Sequence, residues 1–170
     1  ALRKSFFDKI NSCILTSATL KVQNSFDYFL RRVGLDNNGD VSSKEFLSPF
    51  YYNEQVTYYQ YGGSKDLSNS PAGIGDVVYH LHNLFDKRIM VLFTSIRALT
   101  DTAKYLKTLP DGRNLPLFAQ VRGASRPSII KGMHQTSNGI LFGTNSFWEG
   151  VDLPGELLEI LVLVKLPFDV

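Results

Sequence analysis

Residues 140–155 read ILFGTNSFWEGVDLPG, and this stretch decides the fold assignment. Its first three residues form a short apolar run of the kind found in buried strands. The run stops at Gly143, after which hydroxyl, aromatic, acidic and glycine residues follow without periodicity. A structural turn does not need that combination, so we interpret residues 143–155 as a functional loop after a buried strand.

Other segments of the chain repeat the same pattern of apolar runs and helical spacing. Three more apolar runs predict strands, at residues 89–93, 115–121 and 160–164. Apolar residues at helical spacing predict helices before and between these strands, at residues 77–85, 99–106 and 129–133. Strands that are apolar on both faces and alternate with helices predict an α/β fold, with a parallel sheet covered on both sides. Such sheets bind ligands at the carboxyl ends of their strands.

The first part of the chain is less regular. Residues 13–16 form a short apolar run that predicts a strand, with Cys13 as a small core residue. Apolar residues at helical spacing between Phe26 and Val33 predict a helix that ends at Gly34.

Two further segments precede the regular part. The tyrosine-rich residues 49–61 favour a half-buried strand over a surface that stacks bases. Residues 62–75 are rich in glycine, serine and asparagine, which predicts a mobile loop.

Composition narrows the classes of protein to consider. The net charge of +2 excludes a polycation, so any contact with nucleic acid must come from a local surface. Cys13 is the single cysteine, which excludes an intrachain disulfide, a cysteine-rich zinc finger and a four-cysteine iron–sulfur cluster. No apolar run is long enough to span a bilayer and no signal segment is visible, so we expect no membrane partner and a cytoplasmic location.

Three strand ends carry polar residues that suit a site. They are the string TSATL at 16–20, Thr94-Ser95, and the loop 143–155. The first two alone are ordinary turn and N-cap residues. In the loop, Thr144 suits donation to a phosphate oxygen and Asp152 suits acceptance from a sugar hydroxyl.

Phe147 and Trp148 in the same loop suit packing as well as function. Their aromatic rings would anchor the connection between the strand and the loop. For these two residues both interpretations stay open.

In this order, the three strand ends resemble motifs III, IV and V of superfamily 2 helicases. The matching strings are TSATL at 16–20, VLFTS at 91–95 and GTNSFWEGVDLPG at 143–155, the last being close to motif V of the DinG/XPD branch. Two shorter strings also fit that branch, SPF at 48–50 and LPF at 166–168. The resemblance runs from Cys13 to Phe168 and implies a RecA-like parallel sheet flanked by helices, the second motor domain of a DNA helicase.

The resemblance also implies roles for individual residues. Contacts to single-stranded DNA are expected at Thr94, Ser95, Thr144 and Asn145. Contacts to ATP are expected at Glu149, Gly150 and Asp152. Coupling between the ATP site and the DNA-moving elements is expected at Ser17 and Thr19. Gln120 and Arg126 fall where the family has polar residues before a helix, with Arg126 better interpreted as a surface residue.

The resemblance implies domain boundaries as well. Residues 1–20 would be the motif III segment and linker of the first motor domain, and residues 21–170 the second RecA-like domain, cut before motif VI. The chain starts at Ala1 rather than Met and ends at Val170, so we expect a piece of a larger protein. Because the motif III strand belongs to the first domain's sheet in related motors, residues 14–20 are expected to pack irregularly here.

Several family features are missing from this sequence. It lacks a Walker A loop and an acidic Walker B box, and a motif VI arginine finger would lie beyond Val170. We therefore expect half an ATP site, no catalytic residue in this chain and no ATP hydrolysis by it alone, since phosphoryl transfer needs these parts together. ATP and Mg²⁺ are cofactors expected for the intact protein, and no metal site is expected here because His80, His82 and His134 do not form a ligand cluster.

Two functions remain from the sequence. The first is part of an ATP-dependent DNA helicase in repair or replication, with single-stranded DNA and the first RecA-like domain of the same chain as partners. The alternative is a non-enzymatic RecA-like or Rossmann-like module that binds a partner protein or a nucleotide. A flavodoxin-like enzyme is disfavoured because no complete G-x-G-x-x-G loop is present.

Overall fold

The computed structural model describes residues 2–36, 39–63, 66–121, 123–148 and 151–166, with the backbone alone for Asn145. The chain divides into two compact units, Ala1–Gln60 and Tyr61–Val170. Every strand of the described residues lies in the second unit, which therefore carries the sheet.

The first unit has short helices and little buried surface. Its helices are α1 (Leu2–Ser5), α2 (Asp27–Val33) and α3 (Tyr52–Gln55), with a 3₁₀ turn at Phe7–Lys9. The helix predicted before Gly34 is confirmed: Gly34 has a φ of 79° and donates its N–H to the carbonyl of Arg31. Among the described residues of this unit only Leu35 is buried, so these residues form almost no core.

The strand predicted at residues 13–16 is wrong. Ile14 is 93% exposed, and Cys13 is exposed rather than part of a core. An apolar run becomes a strand only where a neighbour pairs its N–H and C=O groups, and these residues have no ladder partner within the described chain. This exposure agrees with the irregular packing expected for residues 14–20.

The half-buried strand predicted at residues 49–61 is also wrong. The segment forms the single turn of α3 and otherwise has no regular structure. Its tyrosine side chains are all exposed: Tyr51, Tyr52, Tyr58, Tyr59 and Tyr61. Aromatic residues favour strands only when a sheet face is available for them to cover, and the described part of the first unit contains no sheet.

The second unit contains one parallel sheet with helices between its strands. The strands are β1 (Ile89–Leu92), β2 (Leu117–Ala119), β3 (Ile140–Gly143) and β4 (Ile160–Leu163). The helices are α4 (Pro71–Phe85), α5 (Ile96–Leu106), α6 (Arg126–Gln135) and α7 (Asn145–Trp148), with a 3₁₀ turn at Gly155–Leu157. The strands lie in the order β2-β3-β1-β4, and all pairs are parallel. The four strands and three helices predicted from apolar spacing in this region are confirmed.

The two central strands of the sheet, β1 and β3, are covered by apolar side chains on both faces. On one face, residues from β1 and β3 pack with α4 and α5, in a cluster that includes Ile74, Val78, Val91, Phe93, Leu99 and Phe142. On the other face they pack with α6 and α7, in a cluster of Met90, Leu92, Ile129, Met133, Leu141 and Phe147. This two-sided burial explains why β1 and β3 are apolar throughout. In the edge strand β4, Leu161 and Leu163 are exposed. The predicted α/β fold is confirmed. None of the described helices is long and apolar enough to cross a membrane.

Helix α4 begins earlier than the sequence indicated. The mobile loop predicted at residues 62–75 is wrong from Pro71 onward, because Ser70 caps the helix by accepting from the N–H of Gly73 at 3.1 Å. A serine followed by proline at the first helical position is a strong start signal, since proline has no N–H to leave unpaired.

Helix α4 is also joined to α5 by a side-chain hydrogen bond. Asp76 of α4 accepts from the Tyr105 hydroxyl at 2.8 Å, and this bond raises the pKa of Tyr105 above its usual value.

Arg88 fastens two elements to the start of β1. Its Nε atom donates to the carbonyl oxygens of Met133 at 3.0 Å and Thr136 at 2.7 Å, at the end of α6. Its Nη1 atom donates to the carbonyl of Glu156 at 2.7 Å, in the 3₁₀ turn. Arg88 therefore holds α6 and this turn at the amino edge of the sheet.

We expect Arg88→Met to lower the free energy of unfolding by about 1.5–2 kcal/mol, because the apolar stem is kept while the hydrogen bonds from a charged donor are lost. Urea unfolding followed by the fluorescence of Trp148, the single tryptophan, measures the change. The control is Arg97→Met, because that side chain is 93% exposed and its ion pair with Asp101 is long, at 3.8 Å. Equal midpoints for the two variants would contradict the role of Arg88.

Candidate functional site

The carboxyl ends of the parallel strands meet at one edge of the sheet, where α/β proteins bind ligands. Thr94 and Ser95 follow β1, and Thr144 follows β3, its neighbour in the sheet. Leu92 of β1 is paired with Gly143 of β3, so these predicted site residues come just after a shared register position. The structure thus brings the motif IV and motif V residues of the second unit to the same edge.

Thr94 and Ser95 are both exposed at this edge. Ser95 is the N-cap of α5, and its hydroxyl oxygen accepts from the N–H of Ala98 at 3.3 Å. The ordinary capping role considered for Ser95 is therefore present, and its exposure leaves the hydroxyl within reach of a ligand. Their DNA contacts stay predictions.

Thr144 is buried, with 6% of its surface exposed. Its backbone N–H and its hydroxyl both lie within hydrogen-bond distance of Gln120 Oε1, at 2.8 and 2.9 Å. Gln120 follows β2, and its Nε2 atom donates to Ser146 Oγ at 2.9 Å. The hydroxyl expected to meet a phosphate is thus enclosed by the protein in this structure, and a DNA contact by Thr144 stays a prediction.

Helix α7 is anchored by its aromatic residues. Phe147 is 2% exposed and belongs to the apolar cluster under the helix. Trp148 is half-buried, and its indole N–H donates to the carbonyl of Phe93 at 3.3 Å. The packing interpretation of both residues is confirmed.

Gly143 serves this packing. A Cβ atom on Gly143 would lie 2.6 Å from the Cβ atom and 2.8 Å from the Cγ atom of Phe147. A glycine can let the backbone approach a phosphate closely, because it has no side chain. The structure gives Gly143 a different role, because the space that glycine leaves is filled by Phe147.

Arg126 lies close to α7. It is the first residue of α6, is half-buried, and places its guanidinium carbon 5.6 Å from the centre of the Phe147 ring. A cation over an aromatic face is a favourable contact. Arg126 therefore lies at the surface but is not fully exposed, and it places a positive charge beside α7.

A groove runs between α6 and the chain that follows α7. Its volume is about 670 Å³, within the range of small-ligand sites. Its lining combines apolar and charged side chains: Arg126, Pro127, Ile130, Lys131, His134, Val151 and Asp152. Asp152 is exposed, while Glu149 and Gly150, also predicted to contact ATP, lie outside the described residues.

The predicted coupling residues lie in the first unit. Ser17 and Thr19 are exposed, with their hydroxyl oxygens 3.2 Å apart, and the backbone N–H of Thr19 also donates to Ser17. This is a local turn, and the coupling role stays a prediction.

No metal-binding group is formed by the residues that the structure describes. No three histidine, cysteine or acidic side chains come together there. His80 and His134 are exposed, whereas His82 is half-buried and its Nδ1 atom is enclosed without a hydrogen-bond partner among the described residues.

Gln120 has a larger role in this site than the sequence indicates. It follows a strand just as Thr94 and Thr144 do, and that position was the available signal. Its importance depends on β2 lying next to β3, which the order of strands along the chain does not reveal.

Comparisons with known proteins agree with the resemblance. Residues 78–170 match the model of a family described as the helicase C-terminal domain. The chain is 34% identical, over 98% of its length, to the 3'-5' exonuclease DinG of Bacillus subtilis, of which it covers 18%. It is 30% identical, over 91% of its length, to the ATP-dependent DNA helicase YoaA of Haemophilus influenzae, of which it covers 23%.

A further relative at 30% identity over 99% of the chain is the ATP-dependent DNA helicase DinG of Photobacterium profundum, of which the chain covers 25%. The chain thus spans a quarter or less of these three relatives. No solved structure matches it significantly. The family match covers more than half of the residues, and the parallel sheet has the arrangement expected of a RecA-like domain. The chain belongs to the helicase C-terminal domain family, and its resemblance to DinG-type helicases is confirmed.

Proposed function

We propose that this chain is the part of an ATP-dependent DNA helicase that contacts single-stranded DNA through motifs IV and V and supplies half of the ATP site. The observation that carries the proposal is the meeting of Thr94, Ser95 and the β3–α7 junction at one sheet edge. The relatives support it, since they are DNA helicases and DinG proteins. A role in DNA repair or replication, in the cytoplasm, belongs to the same proposal.

The groove beside α6 suits half of a nucleotide site. Arg126 and Lys131 bring positive charge for phosphates, and the exposed carboxylate of Asp152 suits acceptance from ribose hydroxyls. ATP would supply the cleavable phosphate, carried with Mg²⁺. This chain's residues would hold and orient the nucleotide, while the phosphate-binding loop would come from the first RecA-like domain.

The domain boundaries follow from the same proposal. Residues 1–20 would belong to the first motor domain and its linker, with Ser17 and Thr19 coupling nucleotide state to DNA movement. Residues 21–170 would form the second motor domain. The many exposed apolar side chains of the first unit, including Ile14, Phe46 and Leu47, suit packing against a further part of such a motor.

We expect the chain alone to hydrolyse no ATP and to bind single-stranded DNA weakly, with a dissociation constant no tighter than roughly micromolar and a strong dependence on salt. The reasons are a net charge of only +2 and the missing Walker loop. Phosphate release and the fluorescence anisotropy of a labelled oligothymidylate, at low and moderate salt, measure the two properties.

Two results would contradict this assignment. One is ATP turnover on the order of 1 per second that Asp152→Ala abolishes, which would make the site complete. The other is a chain that binds a nucleotide or a protein but does not bind DNA at low salt, which would favour the non-enzymatic module.

The proposed nucleotide contact of Asp152 can be tested separately. Asp152→Ala should weaken the binding of a fluorescent ATP analogue. Asp111→Ala, which changes an exposed acid in the turn after α5, should not.

A further inference from the structure

Gln120 joins a buried and an exposed hydroxyl in one chain of hydrogen bonds. Thr144, buried after β3, contacts Gln120 Oε1 through both its N–H and its hydroxyl. Ser146, two residues on in α7, is exposed and receives a hydrogen bond from Gln120 Nε2 at 2.9 Å. The chain of bonds therefore runs from inside the sheet edge to its surface.

The backbone N–H of Thr144 fixes the direction of this chain. An N–H group donates only, so the amide atom that faces it must be the oxygen, and the NH₂ group of Gln120 must face Ser146. The Thr144 hydroxyl faces the same amide oxygen, which accepts only, so it must donate its single proton there. In this arrangement Thr144 has no proton left to offer to a ligand.

The Ser146 hydroxyl differs from that of Thr144, because its proton is not used within the hydrogen-bond chain. Its oxygen accepts from Gln120, so its own proton stays available, and no acceptor for that proton is found among the described residues. Accepting one hydrogen bond polarises a hydroxyl and strengthens the one that it donates. Ser146 thus presents a donor at the surface of the edge that also carries Thr94 and Ser95.

We infer that Ser146, positioned by Gln120, donates its hydroxyl proton to a phosphate oxygen of a single-stranded DNA backbone, while Thr144 holds the Gln120 amide from inside. The inference rests on the proposed function, of which it specifies one contact. Phosphodiester oxygens accept hydrogen bonds and carry negative charge. The Ser146 hydroxyl can donate to such an oxygen. The Arg126 guanidinium, over the ring of the adjacent Phe147, provides positive charge nearby.

The test compares serine variants in their affinity for a labelled oligothymidylate at low salt. We expect Ser146→Ala to weaken binding by about tenfold, the effect of one hydrogen bond to a charged acceptor. Ser146→Thr keeps the hydroxyl and should keep most of the affinity. Ser137→Ala is the matched control, since Ser137 is exposed in the loop before β3, at the other edge of the sheet. The dependence on salt should not change, because a neutral hydroxyl displaces no counterion.

Gln120→Leu tests the positioning role. We expect it to weaken DNA binding in the unmutated chain but to add little in the Ser146→Ala background, because it acts through Ser146. A role for Gln120 in folding alone would weaken binding equally in both backgrounds and would overturn the positioning role. Urea unfolding of each variant shows whether any loss of affinity follows a loss of folded protein.

Two outcomes separate this contact from the proposed function. If the unmutated chain binds DNA and Ser146→Ala binds equally well, the Ser146 contact is overturned and the function stands. A loss confined to Thr144→Val would then identify Thr144 as the direct contact. If the unmutated chain binds no DNA even at low salt, the DNA-binding function falls and the contact falls with it.

Discussion

Replacing Phe147 by alanine is expected to lower the free energy of unfolding of the second unit by about 3–5 kcal/mol, the usual cost of emptying a buried aromatic site. Phe147 is 2% exposed and packs in the cluster with Leu92, Ile129 and Met133. The sheet side of the cavity cannot collapse easily, because β3 is held between β1 and β2 by its ladders. The Arg126 guanidinium also loses the ring beneath it.

Urea unfolding followed by far-ultraviolet circular dichroism measures this loss, since Trp148 is too close to the change to serve as the only probe. The matched control is Phe85→Ala, at the end of α4, where the phenylalanine is 50% exposed. We expect that variant to cost far less, about 0.5 kcal/mol or less if the ring is not packed. A loss at Phe147 as small as that at Phe85 would show that the ring does not anchor α7.

The fold of the second unit could be predicted because the burial of its central strands is visible in the local sequence of each strand. Residues 89–92 and 140–143 are buried on both faces, so their burial shows in sequence as an uninterrupted apolar run. The first unit gave no comparable information. Residues 13–16 have the same local pattern as a buried strand, but what makes a strand is a partner, and none lies within the described residues of the unit.

The candidate site was predictable where position along one strand determined it. Thr94 and Thr144 were found because each follows an apolar run, and the parallel sheet places both at one edge. The state of the Thr144 hydroxyl was not predictable. It depends on Gln120, which is 24 residues away and comes close only because β2 pairs with β3. Strand order, which links distant residues, is the information that one sequence lacks.

A second large effect is expected at Gly143, where Gly143→Ala should lower the free energy of unfolding by about 3 kcal/mol, near the upper end of the cost of over-packing. The added Cβ atom would lie 2.6 Å from Phe147 Cβ and 2.8 Å from its Cγ. The base of a buried ring cannot swing away as the end of a flexible side chain can, so β3 or α7 must shift. The control is Gly62→Ala, because a Cβ atom there would meet nothing within 4 Å.

The double variant Gly143→Ala/Phe147→Ala tests whether the two residues act on each other directly. Without the ring, the chain at position 147 is free to move away from the new Cβ atom, so the double variant should cost less than the sum of the single variants, by about 1 kcal/mol or more. Urea unfolding of the four proteins gives this coupling energy. If glycine is needed at 143 for close approach of a phosphate instead, the costs should add, and Gly143→Ala should weaken DNA binding without weakening the fold.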